Sequence, residues 1–512
     1  EPLVTYLPKF KMQDERYKDI TVRMLLNHSC AITGSSYILG AFYGEYDEDV
    51  YEKEYAAFEL TGLDDDPGVY SVYCNEGFSL AEILVIEVSG EDYSDYIRDH
   101  IFNVIGATSS GYADRDFEPG TYAMVGSYPH EYVNFMGTGG ISSNLADLCK
   151  FGQIFLDKGQ GVISEKSVEE MSSPQGVTFI QSDGFSPNYG FGWDSVNNPF
   201  DKYDFGEGVL AKNGGSNQFL SQLYVIPKYN MVCAISATID FSGSVANVLS
   251  EIAADVLKAQ GIDVTKAATP AAENTPQPLP QTFKEEYEGT YGAFNNIMRV
   301  TVNADDSIST SQLTLSGYVE KDPALYYNGS TFVDESGQTE YKFVQADGKK
   351  YLMHIFRSMG VEYPIAQKLE SSSVGASAWD NRTEVLYLPS NVDLRAVLMA
   401  SGFILHEDDT LPGILICGQG EEFCPLSIQN DDATQLLLQI PGSMGCDLYT
   451  LRTKTVNDEE WLYTEYYDLR PANALDVLQP GTVTIGEDGY NALYQLPADA
   501  ITCTLPEGGR VV

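Results

Sequence analysis

A chain of 512 residues exceeds what one hydrophobic core serves, so two or three domains are expected. Hydrophobic residues at 43% and charged residues at 20% are a globular composition, and 34 Tyr, 23 Phe and 46 Gly suit β-rich modules with many turns. Lys plus Arg number 30 against 74 Asp plus Glu, a net charge of −44 that repels phosphate backbones and anionic lipid and argues against nucleic-acid and membrane-surface partners.

The chain opens at Glu1-Pro2-Leu3 without an initiator Met or a signal-peptide pattern, so further sequence is expected upstream. Ser79 to Ser89 and Tyr93 to Phe102 read as helices. Leu145 to Leu156 has apolar residues at helical spacing, with Asn144 as its N-cap. Phe219 to Ile226 and Met231 to Ala237 read as strands joined by a turn at Pro227-Lys228-Tyr229-Asn230. Ser244 to Ala259 reads as a closing helix. Thr265 to Gln281 carries Pro270, Pro276, Pro278 and Pro280 and has no apolar periodicity, so it reads as an extended linker. Beyond it, short apolar or alternating runs recur between turn signals: Ile297 to Val302, Thr331 to Val333, Tyr341 to Val344, Tyr351 to Phe356, Glu384 to Leu388, Ile414 to Cys417 and Leu436 to Ile440. These predict one or two antiparallel β modules, barrel or sandwich, with a break near Ser371-Ser372-Ser373 and no visible internal repeat. The expected division is 1–262, a Pro/Ala-rich linker 263–282, a β domain 283–370 and a second β domain 371–512.

No stretch reaches the ~18 consecutive apolar residues of a spanning helix. No C-x-x-C occurs among the eight Cys, and His130-Glu131 is followed by Asn134 where a zincin needs its second His, so no metal and no cofactor are expected. Cys417, Cys424, Cys446 and Cys503, near the C-terminus, are the candidates for a disulfide. Gly214-Gly215-Ser216-Asn217 begins like a nucleophile elbow, but Gln218 replaces the closing Gly.

Two clusters carry chemistry. In Tyr73-Cys74-Asn75, ahead of a helix, the phenol can act as a general base if cations lower its pKa, and the Asn can orient a lysine or a substrate amide. In Lys212-Asn213-Gly214-Gly215, at the head of a hairpin, the Lys is a fixed cation and the glycines let substrate approach a backbone N–H that can hold an oxyanion. Each cluster alone is ordinary turn chemistry. Their order is specific when joined by Tyr6-Leu7-Pro8, the stretch Ile20 to Ser29, Pro67-Gly68, the segment Tyr93 to Gly106, Gly139-Gly140-Ile141-Ser142-Ser143, and Tyr189-Gly190-Phe191-Gly192-Trp193.

Over roughly residues 1 to 260 the chain resembles the serine β-lactamase-like and penicillin-binding-protein family, which includes class C β-lactamases, DD-peptidases, D-aminopeptidases and related esterases. The resemblance implies an α/β (α+β) fold, with a β-lactamase/transpeptidase-like antiparallel sheet flanked by helices. It also implies that the β modules are lipocalin-like additions that wall the cleft or hold a partner chain. It implies an acyl-enzyme mechanism on D-amino-acid peptides, β-lactams or related amides and esters, in an extracellular, cell-surface or periplasmic protein. Tyr73 would be the base, and Asn75 would steady the active-site lysine and the substrate amide. Lys212 would face the substrate carboxylate and bias Tyr73 toward phenolate, and the Gly215 N–H would be half of the oxyanion hole. Asn213, Gly214 and Ser216 would line the substrate, and His28 would be a satisfied core histidine.

The family's Ser-x-x-Lys nucleophile motif has no counterpart in these residues, since no Ser is followed by Lys three positions later. By family spacing it is expected about twenty residues before Glu1, on an N-terminal segment of the same protein. That segment is expected either in one longer chain or as a fragment docked non-covalently. The alternative is a catalytically inactive member serving as a binding or assembly protein.

Overall fold

The computed structural model describes residues 1–33, 41–43, 49–112, 131–216, 218–370, 379–390, 402–407, 414–417, 423–430, 432–436, 438–443, 450–479 and 494–495. The first half is a mixed helix-and-sheet unit. Its main sheet runs through Leu210–Gly215, Phe219–Ile226 and Met231–Thr238, antiparallel and in that order. Helices Leu145–Leu156 and Val245–Ala259 pack on this sheet. Asn144 caps the first through its side chain, which accepts from Asp147 N at 2.8 Å. Ser244 caps the second, its hydroxyl accepting from Asn247 N at 3.2 Å.

A second core lies beside the sheet. Leu3, Leu7, Phe10, Ile20, Leu25, Phe58 and Leu80 bury together there. The helix Glu76–Ser89 crosses the short helix Val22–Leu26 at Gly77, where a Cβ would stand 3.0 Å from the Leu25 carbonyl oxygen. A side chain there would press on the Leu25 backbone, so glycine eases the approach, which places the start of the helix, with Tyr73 just before it, against the loop that carries His28. The Tyr93 segment is helical over Tyr93–Ile97 and then widens into a π-helical turn at Arg98–Phe102. The sequence reading missed the helices Val50–Phe58 and Glu165–Met171, which are short and rich in charge.

The second half is two closed antiparallel barrels of eight strands each. Strands between Gly289 and Lys368 form the first, and strands between Leu386 and Pro471 form the second. In both, strands pair with their sequence neighbours and the last closes on the first. Closure leaves no open sheet edge. The first barrel is packed with aromatics, among them Phe283, Tyr291, Phe332 and Tyr341. The second is built around Trp379, which is fully buried and donates from Nε1 to the Asn430 carbonyl at 2.9 Å.

The linker has no helix and no strand, but it is tied down. Ala272 N–H donates to Gly337 O at 3.0 Å and Gln277 N–H to Tyr327 O at 2.7 Å, so the segment lies along the first barrel. Lys266 Nζ bridges Phe200 O at 2.7 Å and Ser358 O at 3.0 Å, joining the barrel to the first unit.

One expected strand is different. The run Leu436 to Ile440 alternates like a strand, yet the strand there is Ala433–Leu436 and Leu438 to Ile440 are irregular. Leu438 and Ile440 bury with Ile180, Phe185, Tyr351 and Met353, where the first unit meets both barrels. Their apolarity serves a junction and not a sheet face. The expected break at Ser371-Ser372-Ser373 and the candidate disulfide among Cys417, Cys424, Cys446 and Cys503 fall outside the described residues or side chains. Among the described residues, no helix is long and apolar enough to cross a membrane.

Candidate active site

The segment Ser71 to Cys74 is pinned at every N–H. Ser71 N donates to Val177 O at 2.8 Å, Val72 N to His28 O at 2.9 Å and Tyr73 N to Ser443 O at 3.0 Å. Cys74 N donates to His28 Nδ1 at 3.0 Å. Partners thus come from the first unit and also from Pro441-Gly442-Ser443, which follows the junction residues of the second barrel. Gly442 N returns a bond to Ser71 O at 2.8 Å, and Tyr189 Oη donates to Ser443 O at 3.3 Å. Gly442 has φ 76°, a conformation that glycine adopts at little cost. The C-terminal barrel therefore supplies part of the site's border.

The Tyr73 ring lies on the His28 ring, with centroids 4.5 Å apart. His28 is buried and also meets Tyr189 at 4.8 Å and Phe78 at 5.3 Å. Its Nδ1 accepts a hydrogen bond, so the ring is the neutral Nε2–H tautomer. Burial, with Lys212 nearby, holds its pKa down at about 3. His28 is the satisfied core histidine expected, and it is also the platform under Tyr73. The sign of its pH effect follows. The unfolded chain takes up this proton near pH 6.5 and the folded chain only near 3, so stability is lost as pH falls across that window. Urea midpoints of His28→Gln are expected to fall less steeply over the same window than those of the wild type.

Lys212 sits on the strand Leu210–Gly215, with Nζ 5.6 Å from the Tyr73 ring centroid. Burial is the largest influence on the phenol and raises its pKa above 10.0, although Lys212 pulls the other way. Lys212 acts in the direction of phenolate, but burial outweighs it, and with the groups described here the neutral phenol prevails at neutral pH. For Lys212, burial opposes the charge but is outweighed by Asp194 and then Tyr73, so its pKa stands above 10.5.

Asp194 was not anticipated. It directly follows the Tyr189 to Trp193 motif, in a stretch where Ser195 bridges to Ala211 on the Lys212 strand. Its Oδ1 lies 3.0 Å from Lys212 Nζ, and its Oδ2 accepts from Asn213 N at 2.7 Å.

The backbone direction of the glycines follows from the ladder. Ser216 N donates to Phe219 O at 2.9 Å, which makes that pair hydrogen-bonded and the neighbouring Gly215–Leu220 pair not. Odd-numbered N–H groups thus point to the outer edge of the strand. Ala211 N reaches Ser195 O at 2.8 Å, Asn213 N reaches Asp194, and Gly215 N is next along that edge. Gly215 is exposed. Alternation places Asn213 on the opposite face from Lys212 and Gly214, and Asn213 is exposed. Ser216 Oγ donates to Glu131 Oε2 at 2.6 Å and accepts from Phe219 N at 3.2 Å, which closes the turn. Asn75 precedes the helix Glu76–Ser89, and its carbonyl accepts from Phe78 N at 2.8 Å and Ser79 N at 3.1 Å. Tyr73, Lys212 and the newly found Asp194 thus converge, with Gly215 N further along the same edge.

The family described as Beta-lactamase matches residues 1–258. The putative penicillin-binding protein PbpX of Bacillus subtilis (strain 168) is 32% identical over 239 residues, covering 44% of this chain and 57% of that protein. Penicillin-binding protein 4* of the same organism is 24% identical over 212 residues, covering 36% of this chain and 44% of that protein. The chain thus spans about half the length of these curated relatives. Among solved structures, SurE with D-Leu superposes over 72% of this chain and 83% of its own, at 17% identity and a TM-score of 0.43.

Proposed function

This chain belongs to the beta-lactamase family, a hydrolytic family, and from that premise we propose that it is the greater part of an acyl-enzyme serine hydrolase. The substrates are D-amino-acid peptides, β-lactams or related amides and esters. The observation that carries the reading is the meeting of Tyr73 and Lys212 beside the outward-facing N–H edge of the Leu210–Gly215 strand.

In this reading a serine from an N-terminal segment of the same protein attacks the substrate carbonyl. Its proton passes through Tyr73 to the leaving group, which departs as amine or alcohol. Gly215 N–H stabilises the oxyanion, and water then attacks the acyl-enzyme and regenerates the serine. Because burial keeps Tyr73 a neutral phenol beside one cation, the lysine of the segment's Ser-x-x-Lys would supply the second cation that makes the phenolate accessible. Asn75 orients that lysine and the substrate amide, and Asn213, Gly214 and Ser216 shape the cleft. The serine segment docks against the first unit, and the site faces the outside of the cell or the periplasm. Among the described residues, the strand Met231–Thr238 pairs on one side only, which supports a docking place for further sheet.

Denaturing intact-mass spectrometry tests this. After exposure to a chromogenic β-lactam or a D-alanyl ester, a species bearing Ser-x-x-Lys should gain the mass of the acyl group. That species is either a separate fragment of several kDa or one longer chain. A folded protein that forms no adduct and turns over neither substrate would support the binding or assembly alternative instead.

A further inference from the structure

Lys212 is a cation already held in an ion pair. An ammonium has three N–H groups. This one donates to the Asn213 carbonyl at 2.7 Å and to Asp194 Oδ2 at 3.3 Å, and it lies 3.0 Å from Asp194 Oδ1. Asp194 is itself held firmly. Its N–H donates to Ala211 O at 3.1 Å, its Oδ2 takes the Asn213 N–H at 2.7 Å, and its side chain is only 13% exposed. A carboxylate fixed this way cannot swing aside at little cost. It would have to leave both an ammonium and a backbone N–H that shares its strand edge.

We propose that Asp194 determines specificity by neutralising Lys212, so that this site disfavours substrates with a carboxylate beside the scissile bond and favours uncharged amides or esters there. An entering carboxylate has to compete with Asp194 for Lys212 and meets the negative charge of Asp194 at close range, where a half-buried site screens little. An uncharged amide meets neither obstacle. Lys212 then acts mainly on Tyr73, and its expected role as the receptor of a substrate carboxylate passes to the state in which Asp194 is removed. The identity of the scissile bond rests on the hydrolase reading above, whereas the ion pair does not.

The test titrates D-alanyl-D-alanine and its C-terminal amide calorimetrically into the wild type and into Asp194→Asn. The asparagine keeps an oxygen acceptor for the Asn213 N–H and removes the charge. The wild type should bind the amide at least as tightly as the acid. In Asp194→Asn the acid should gain about tenfold or more relative to the amide. Asp194→Glu, which restores the charge, should return the ratio toward the wild-type value, a rescue that a purely structural role would not produce. If Asp194→Asn fails to fold, Asp194→Ser carries the same expectation. A wild type that prefers the acid overturns the proposal. So does a folded, charge-removed variant with an unchanged ratio, or one that binds neither ligand. Turnover of the two ligands is measured in parallel. If neither is hydrolysed while the binding ratio shifts as stated, the selectivity stands and the hydrolase assignment falls.

Discussion

Replacing Tyr73 with Phe lowers kcat/KM by about 10²-fold or more while the protein stays folded, the loss expected when a proton-transferring group is removed. The fold should survive because the substitution touches little else. The Tyr73 N–H still reaches Ser443 O at 3.0 Å, and the ring still lies on His28. What disappears is the phenolic oxygen beside Lys212, and with it the route from nucleophile to leaving group. The measurement is steady-state hydrolysis of a chromogenic β-lactam or D-amino-acyl ester by the protein that carries the nucleophile segment, with a thermal melt alongside. Unchanged turnover would remove Tyr73 from the mechanism.

Trp379→Ala should cost about 3–5 kcal/mol of stability, the range for deleting a large aromatic from a closed core. Trp379 is the largest fully buried side chain, and it packs with Leu405, Leu426, Leu451 and Leu469 inside the second barrel. Its indole N–H satisfies the Asn430 carbonyl, and Arg382 stacks on its ring at 4.6 Å. The truncation therefore leaves a cavity and removes both the bond to the Asn430 carbonyl and the surface on which Arg382 stacks. Urea unfolding followed by tryptophan-independent circular dichroism reads the loss. A shift within the range of a surface substitution, roughly 0.5 kcal/mol, would show that the barrel is not closed around this residue.

The first half was legible because its helices and hairpin follow local rules. Helix Leu145–Leu156 with its Asn144 cap, and the strand pair around Pro227 to Asn230, can be read from periodicity and capping alone. Tyr73 and Lys212 were legible from the order of short motifs and not from any physical property of either residue. Asp194 was not, because its role depends on Ser195 pairing with Ala211, a contact between distant segments. The balance at the phenol was not legible for a related reason. Sequence shows that a cation is near in motif order, but it does not show how much water the fold removes, and here burial outweighs the cation. That the two modules share one barrel architecture was likewise hidden. Barrel interiors require alternation and volume at each position, so two modules can share strand order without sharing residues. Leu438 and Ile440 alternate as a strand would, and only their neighbours reveal that they fill a junction.

The bond from Tyr73 N–H to Ser443 O sets a schedule for the newborn protein. Tyr73 leaves the ribosome well before Ser443, whose carbonyl fixes its backbone and which belongs to the second barrel. At roughly 5–20 residues per second, the interval between them is on the order of tens of seconds. During that wait the nascent first unit lacks both this partner and the bond from Gly442 to Ser71. Completing the site is thus coupled to synthesis of the second barrel, and a chain released before that barrel through a nonsense codon would carry the Tyr73 and Lys212 motifs without the border that steadies them.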